Sequence, residues 1–408
     1  MNIKALNKDI HMLSMSIDDM LFEGMWELPH GVSLNSFIVK GEKTAIIDGI
    51  IGWDGLPETL YKHLGQIDIN PENIDYVIVN HMEPDHAGWL ESFKKINKDF
   101  TLVTTLKGAQ MIEPFYGNSV KVEVVKEGDS IDLGGGKTLS FHPIPNVHWP
   151  ETMMTYESSS KTLFTCDMFG AFGSLKDHNF DDEMTEEEIK LYEKEAVRYF
   201  SNVLTTFSMM VEKAIDKTKA LDVKVIAPGH GPIYRSNPQK IIDDYQKYCQ
   251  FAKGFGENEV TIVWGSMYGM TQKAVDFAKQ ILEKEGIKVH SIQMPNDTES
   301  EMVTNVFQSA GIILATPTYE YKMYPPVAHA LDELGRKRIN NKEVFRFGSF
   351  GWSGGAEKDL AQITENYKMK WNFIESVEFN GQAKEEDLAK IESGIMQLIA
   401  NMKNKVIQ

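Results

Sequence analysis

At 408 residues the chain is longer than one ordinary core and suggests two domains. Hydrophobic residues at 42% and charged residues at 25% match an average soluble globular protein, which excludes a disordered or membrane class. A formal net charge of -17 opposes non-specific nucleic-acid binding, which needs Lys and Arg against phosphates, and fits either an ordinary acidic enzyme or an acidic face for a small protein partner. The two cysteines, Cys166 and Cys249, agree with a reducing compartment and leave any metal centre to His and carboxylates.

In chain order, the start from Met1 to Asp9 has no apolar stretch of signal-peptide length, and no later segment approaches a membrane-spanning helix. A cytoplasmic location without membrane contact is expected. Short β-rich runs follow, Ser36-Phe37-Ile38-Val39, Thr44 to Asp48, Tyr76 to Asn80 and Thr101 to Thr104, punctuated by Gly, Pro, Asn and Asp. Apolar positions every three or four residues then predict a helix over Glu186 to Asp216. The pattern breaks at Gly254-Phe255-Gly256-Glu257-Asn258, which sets a domain boundary between residues 1–252 and 253–408. Beyond it, strands alternate with helices: strand Glu259 to Trp264, helix Thr271 to Glu285, strand Lys288 to Ile292, helix Met302 to Ser309 and strand Gly311 to Ala315. This alternation predicts a parallel sheet covered on both faces.

The densest chemical signal is His81-Met82-Glu83-Pro84-Asp85-His86, four potential metal ligands in six residues directly after an apolar strand. Pro84 argues for a loop at the strand end, where side chains can converge on one point. His148, Asp167 and His230 follow apolar runs or lie in Gly/Pro turns and complete a candidate ligand set. Three carboxylates would offset much of the charge of two ferrous ions, and four imidazoles suit iron or zinc. Glu83 in place of a further nitrogen hardens the site toward iron, leaving zinc, manganese or a mixed centre open. Tyr199 is either a donor to an oxygen or nitrogen species bound at the metal or a packed helix tyrosine, and it stays outside the set with His30 and His178.

The second domain carries three candidate ligand loops at strand ends. The first, Ser266-Met267-Tyr268-Gly269-Met270-Thr271, joins a strand to a helix N-terminus, an arrangement that binds phosphate through free N–H groups, the helix dipole and the two hydroxyls. The others are Thr316-Pro317-Thr318-Tyr319 and Ser349 to Gly355, the latter containing Gly351, Trp352, Ser353 and Gly354. Three such loops at the C-terminal ends of a parallel sheet suggest one flat bound molecule. Tyr319 and Trp352 would stack on it or would cap the sheet. No G-x-G-x-x-G turn with a following ribose-binding acid supports a classical NAD fold.

On these motifs the first part resembles the metallo-β-lactamase superfamily, specifically its flavodiiron branch with the pattern H-x-E-x-D-H, H, D, H, and the second part looks like flavodoxin. The resemblance implies an α/β protein with an N-terminal αββα sandwich and a C-terminal doubly wound parallel sheet. It further implies one iron on His81, Glu83 and His148, another on Asp85, His86 and His230, Asp167 between them, and FMN in the three loops. The reaction implied is reduction of O2 to water, of NO to N2O, or of both, with electrons from rubredoxin or a similar carrier, since no C-x-x-C pair stands in this sequence. The competing readings are a two-metal hydrolase, which leaves a flavin without a task, and a gas-binding module without turnover. A domain of roughly 250 residues has a radius of gyration of about 18 Å. Consecutive sites can therefore lie too far apart for fast electron transfer, so a head-to-tail homodimer or a dimer of dimers is expected.

Overall fold

The computed structural model describes residues 2–50, 57–117 and 120–407. The chain divides into two compact units, Met1–Phe200 with Phe207–Gln246, and Ser201–Thr206 with Lys247–Gln408.

The first unit holds two sheets. One runs in the order Asn2–Ala5, Ile10–Ile17, Val32–Lys40, Thr44–Ile47, Tyr76–Ile78, Thr101–Thr105 and Lys121–Val125, antiparallel through Thr44–Ile47 and parallel thereafter. The other runs Ser130–Gly134, Lys137–Pro143, Met153–Glu157, Thr162–Cys166 and Val225–Pro228, with only the last pair parallel.

Strand Val32–Lys40 shows why the sheets stack. It is buried from Val32 to Val39, so both faces must be covered. Side chains alternate faces. Leu34 and Ile38 join Leu60, Leu64, Leu90, Phe93, Ile112 and Tyr116 in the helix-covered core. Phe37 turns the other way onto Phe164 of the second sheet, ring centroids 5.0 Å apart. Beyond the second sheet lie Thr218 against Met154 and Tyr245 against Phe169, from the helices Ser208–Lys219 and Pro238–Ala252. The layers are helix, sheet, sheet, helix, the αββα arrangement expected.

The helix expected over Glu186 to Asp216 is interrupted. It starts as Glu186–Tyr199 on a capping box made by Thr185 and Glu188. It then widens into a π-type turn over Phe200–Leu204, passes through Thr205–Phe207 and resumes as Ser208–Lys219. Apolar spacing runs through the break, whereas the backbone bonding changes, and the Thr205 hydroxyl donates back to the Ser201 carbonyl at 3.0 Å.

In the second unit all strand pairs of the main sheet are parallel, in the order Lys288–Gln293, Glu257–Trp264, Ser309–Ala315, Glu343–Phe350 and Asn372–Phe373, with Val377–Asn380 also on Glu343–Phe350. Val260, Ile262 and Trp264 pack with Ala274, Ala278 and Leu282 of Met270–Lys284 and with Ile391, Ile395 and Leu398 of Glu385–Met402. Thr261 and Val263 face the opposite side, where Glu299–Gln308 packs. That helix begins three residues before its expected start because the Thr298 hydroxyl caps it, accepting from the Glu301 amide. The strand order reverses between Glu257–Trp264 and Ser309–Ala315, so the loops leaving Trp264 and Ala315 open at the switch point. Among the described residues no helix is long and apolar enough to cross a membrane.

Candidate functional site

The run His81 to His86 leaves the end of strand Tyr76–Ile78, where the buried Asp48 accepts from the amide and side chain of Asn80 at 2.8 and 3.0 Å. Where a plain loop was expected, Pro84–Ala87 forms a single helical turn with Pro84 in its first position, where a missing N–H breaks no bond. His148 comes from the loop after Lys137–Pro143, Asp167 from the end of Thr162–Cys166, and His230 from the loop after Val225–Pro228. The structure brings all seven together in two groups.

In the first group Glu83 Oε2 lies 3.1 Å from His81 Nε2 and 3.0 Å from His148 Nε2. In the second, Asp85 Oδ2 lies 3.5 Å from His86 Nε2 and 3.4 Å from His230 Nε2. Asp167 spans them: Oδ2 is 3.3 Å from His81 and 3.2 Å from His148, Oδ1 is 3.0 Å from His86 and 3.5 Å from His230.

This donor set fits two cations. Both oxygens of Asp85 and His230 Nε2 are buried with no hydrogen-bond partner among the described residues, which is costly unless a cation completes them. Burial alone would lower the histidine pKa values, yet the facing carboxylates outweigh it. His148 is held at about 9 by Asp167 and Glu83, His230 at about 10 by Asp167 and Asp85, and His81 and His86 are raised. Burial likewise opposes the carboxylates, but His148 and His81 hold Glu83 at about 2, and His81 and His148 hold Asp167 well below its ordinary range. Without metal, protons occupy the places that cations would take.

Residues not picked out in the sequence orient these groups. Glu151 accepts from His81 Nδ1 at 2.8 Å, and the Ser33 carbonyl accepts from His230 Nδ1 at 2.9 Å, which turns each Nε2 lone pair into its group. Asn35 donates from its amide group to the carbonyls of Pro228 and Gly231 at 3.0 and 2.9 Å and so fastens the His230 loop. The only local signal was an acid in the turn Trp149-Pro150-Glu151. Tyr199 is fully buried beside His230, ring centroids 5.7 Å apart, and its hydroxyl has no hydrogen-bond partner among the described residues. His178 pairs with Glu188, and His30 stands 4.0 Å from Glu195, so both lie outside the two groups.

In the second unit the three candidate loops meet. Gly269 caps Met270–Lys284 at φ +82°, a left-handed conformation that suits glycine, and its amide donates to Ser266 Oγ at 3.0 Å. Thr271 Oγ1 lies 3.0 Å from Ser349 Oγ, joining the first loop to the third. A side chain at Gly355 would stand 2.1 Å from the Tyr321 carbonyl, so the chain two residues beyond the second loop touches the third through backbone. Tyr268, Tyr319 and Trp352 remain 87%, 41% and 83% exposed around them. Tyr268 and Trp352 are thus largely uncovered and Tyr319 partly so, and a glycine-lined cradle at a helix N-terminus fits a flat, phosphorylated ligand.

Fold and site define a class: a metallo-β-lactamase-like domain with a two-metal donor set, joined to a flavodoxin-like domain. A family model described as ODP family beta lactamase matches residues 32–231. The anaerobic nitric oxide reductase flavorubredoxin of Vibrio vulnificus is 32% identical over 359 residues, 85% of this chain and 71% of that protein. A variant of the flavo di-iron protein from Thermotoga maritima superposes with a TM-score of 0.88 at 28% identity, covering 98% of each chain. The rubredoxin oxygen:oxidoreductase of Desulfovibrio gigas, at 24% identity, TM-score 0.90 and 99% coverage of each, shares the fold. The chain belongs to the flavodiiron proteins.

Proposed function

We propose that the protein is a flavodiiron oxidoreductase that takes electrons from a separate carrier protein through FMN to a non-haem diiron centre, where NO is reduced to N2O, O2 to water, or both. The observation that carries this reading is the bridging posture of Asp167, one oxygen toward each of two His/carboxylate groups. One iron is assigned to His81, Glu83 and His148 and the other to Asp85, His86 and His230. FMN is assigned to the loops 266–271, 316–319 and 349–355. The functional division falls at residues 252 and 253.

The bound irons and FMN would supply the redox chemistry. The chain's own residues supply orientation and access. Glu151 and the Ser33 carbonyl hold protons on the Nδ1 atoms of His81 and His230, which keeps both Nε2 atoms available. The His81, His86 and His230 side chains are sealed from solvent and both Asp85 oxygens are buried, whereas the Glu83 side chain is 14% exposed, so a small gas reaches the centre past Glu83. Similarity to flavorubredoxins named for NO reduction favours NO, and similarity of fold to a rubredoxin oxygen:oxidoreductase supports a rubredoxin-like donor. A head-to-tail homodimer, singly or paired, and a cytoplasmic location complete the reading.

Metal analysis with flavin extraction should return about two irons and one FMN per chain, as the two three-residue groups and the single cradle require. Anaerobic stopped-flow mixing of the reduced protein with NO, and separately with O2, then ranks the gases. Stoichiometric zinc, hydrolytic turnover and no flavin would overturn the proposal.

A further inference from the structure

Arg346 lies in strand Glu343–Phe350 with its side chain wholly shielded from solvent. A buried guanidinium is unfavourable unless its charge and its N–H groups are met. Nη1 donates to Glu378 Oε1 at 2.7 Å, Nη2 faces the Thr316 carbonyl at 3.4 Å, and Nε has no partner among the described residues.

The partners share a location. Phe345 and Phe347 face the core beneath Glu385–Met402, so Val344, Arg346 and Gly348 face the opposite side. Gly348 stands directly across from Glu378 in the parallel ladder, and a side chain at 348 would fall 1.8 Å from the Thr316 carbonyl. The same carboxylate backs the third loop: a side chain at Gly354 would fall 2.7 Å from Glu378 Oε2. Arg346 thus touches the first residue of the second loop, and its counterion touches the third.

We infer that the Arg346–Glu378 pair positions the second and third loops and sets the reduction potential of the flavin they hold, Arg346 raising it and Glu378 lowering it. The inference rests on the assignment of FMN to these loops. Reduction by two electrons and one proton leaves a flavin with one more negative charge. A fixed positive charge nearby favours that product and a fixed negative charge opposes it. In a partly shielded site a unit charge changes such an equilibrium by on the order of tenfold. The two charges act oppositely on the flavin, but together they are a single mechanical link.

This asymmetry makes the test. Arg346→Met and Glu378→Gln break the same pair, so loosening of the loops acts alike in both, whereas the electrostatic effects differ in sign. In spectroelectrochemical titration of the FMN-loaded protein, Arg346→Met should lower the reduced-to-oxidised ratio at a fixed potential by on the order of tenfold, and Glu378→Gln should raise it similarly. Tenfold is about 30 mV for a two-electron couple. Arg346→Lys keeps the charge but not the fork, so it should keep the potential while FMN titration shows weaker binding. If Arg346→Met does not fold, Glu378→Gln and Arg346→Lys carry the test. Shifts of one sign in both variants, or an unshifted potential in Glu378→Gln with FMN bound, would overturn the inference. A wild-type protein that takes up no FMN would instead overturn the loop assignment.

Discussion

Glu151 reaches both His81 Nδ1 and the amide of Met82, at 2.8 and 2.9 Å, so one carboxylate holds the ring and the backbone that carries it. Glu151→Ala should therefore weaken metal binding by about 10–100-fold, the usual range for a lost outer partner, while FMN content stays unchanged. Metal titration against a competing chelator measures the first and flavin absorbance the second. Lys342 poses a different residue-scale problem. It is completely buried and donates to the carbonyls of Phe255, Phe307 and Ser309 at 3.1, 2.7 and 2.8 Å. Burial, aided by Lys405, pulls its pKa down from 10.5 to about 7. Between these values the unfolded chain binds a proton that the folded chain does not, so this residue's contribution to stability rises with pH from about 7 to about 10.5, and its full cost is present below 7. Urea unfolding of wild type against Lys342→Met across pH 6 to 10.5 should show a difference that changes in that window. A constant difference would contradict it.

At the scale of elements, the third loop is fixed by glycine. Gly355 has φ +146° and lies against the Tyr321 carbonyl, so Gly355→Ala adds both backbone strain and a collision. A cost of about 1–3 kcal/mol is expected, together with at least a tenfold loss of FMN affinity and no change in metal content. Thermal unfolding, flavin titration and metal analysis check the three parts. The loops themselves were legible because Gly, Ser, Thr and aromatic residues cluster after apolar strands, and the His81 to His86 run was legible because four donors fall within six residues. Asn35 was not. Its role depends on lying opposite Pro228 and Gly231, almost two hundred residues away, and a polar residue in a strand reads locally as a weak spot. Arg346 was hidden for the same reason, since its meaning comes from Thr316 and Glu378 across two strand pairings. The π-type turn at Phe200–Leu204 leaves the apolar period intact and so leaves no trace in it.

For the whole molecule, the two constellations belong to separate compact units and should fail separately. Asp85→Ala should lose metal and keep FMN. Gly269→Val, a branched residue forced to φ +82°, should do the reverse. Joined as a purified mixed dimer, these two chains leave one working flavin–metal pair if electrons pass between subunits, so about half the wild-type reductase activity is expected. A correctly loaded mixed dimer without activity would reject the head-to-tail arrangement. Asp167 carries a consequence for how such a molecule fills. Its two oxygens are committed at once to four imidazoles in two groups, so neither group can be completed without disturbing the anchor of the other. An ion entering one group would displace the protons from that group's histidines and take the Asp167 oxygen that faces them, leaving the other oxygen aimed at the second group. Occupancy should be close to all-or-none: a preparation short of iron is a mixture of empty and full chains, and native mass spectrometry should find few that hold a single ion.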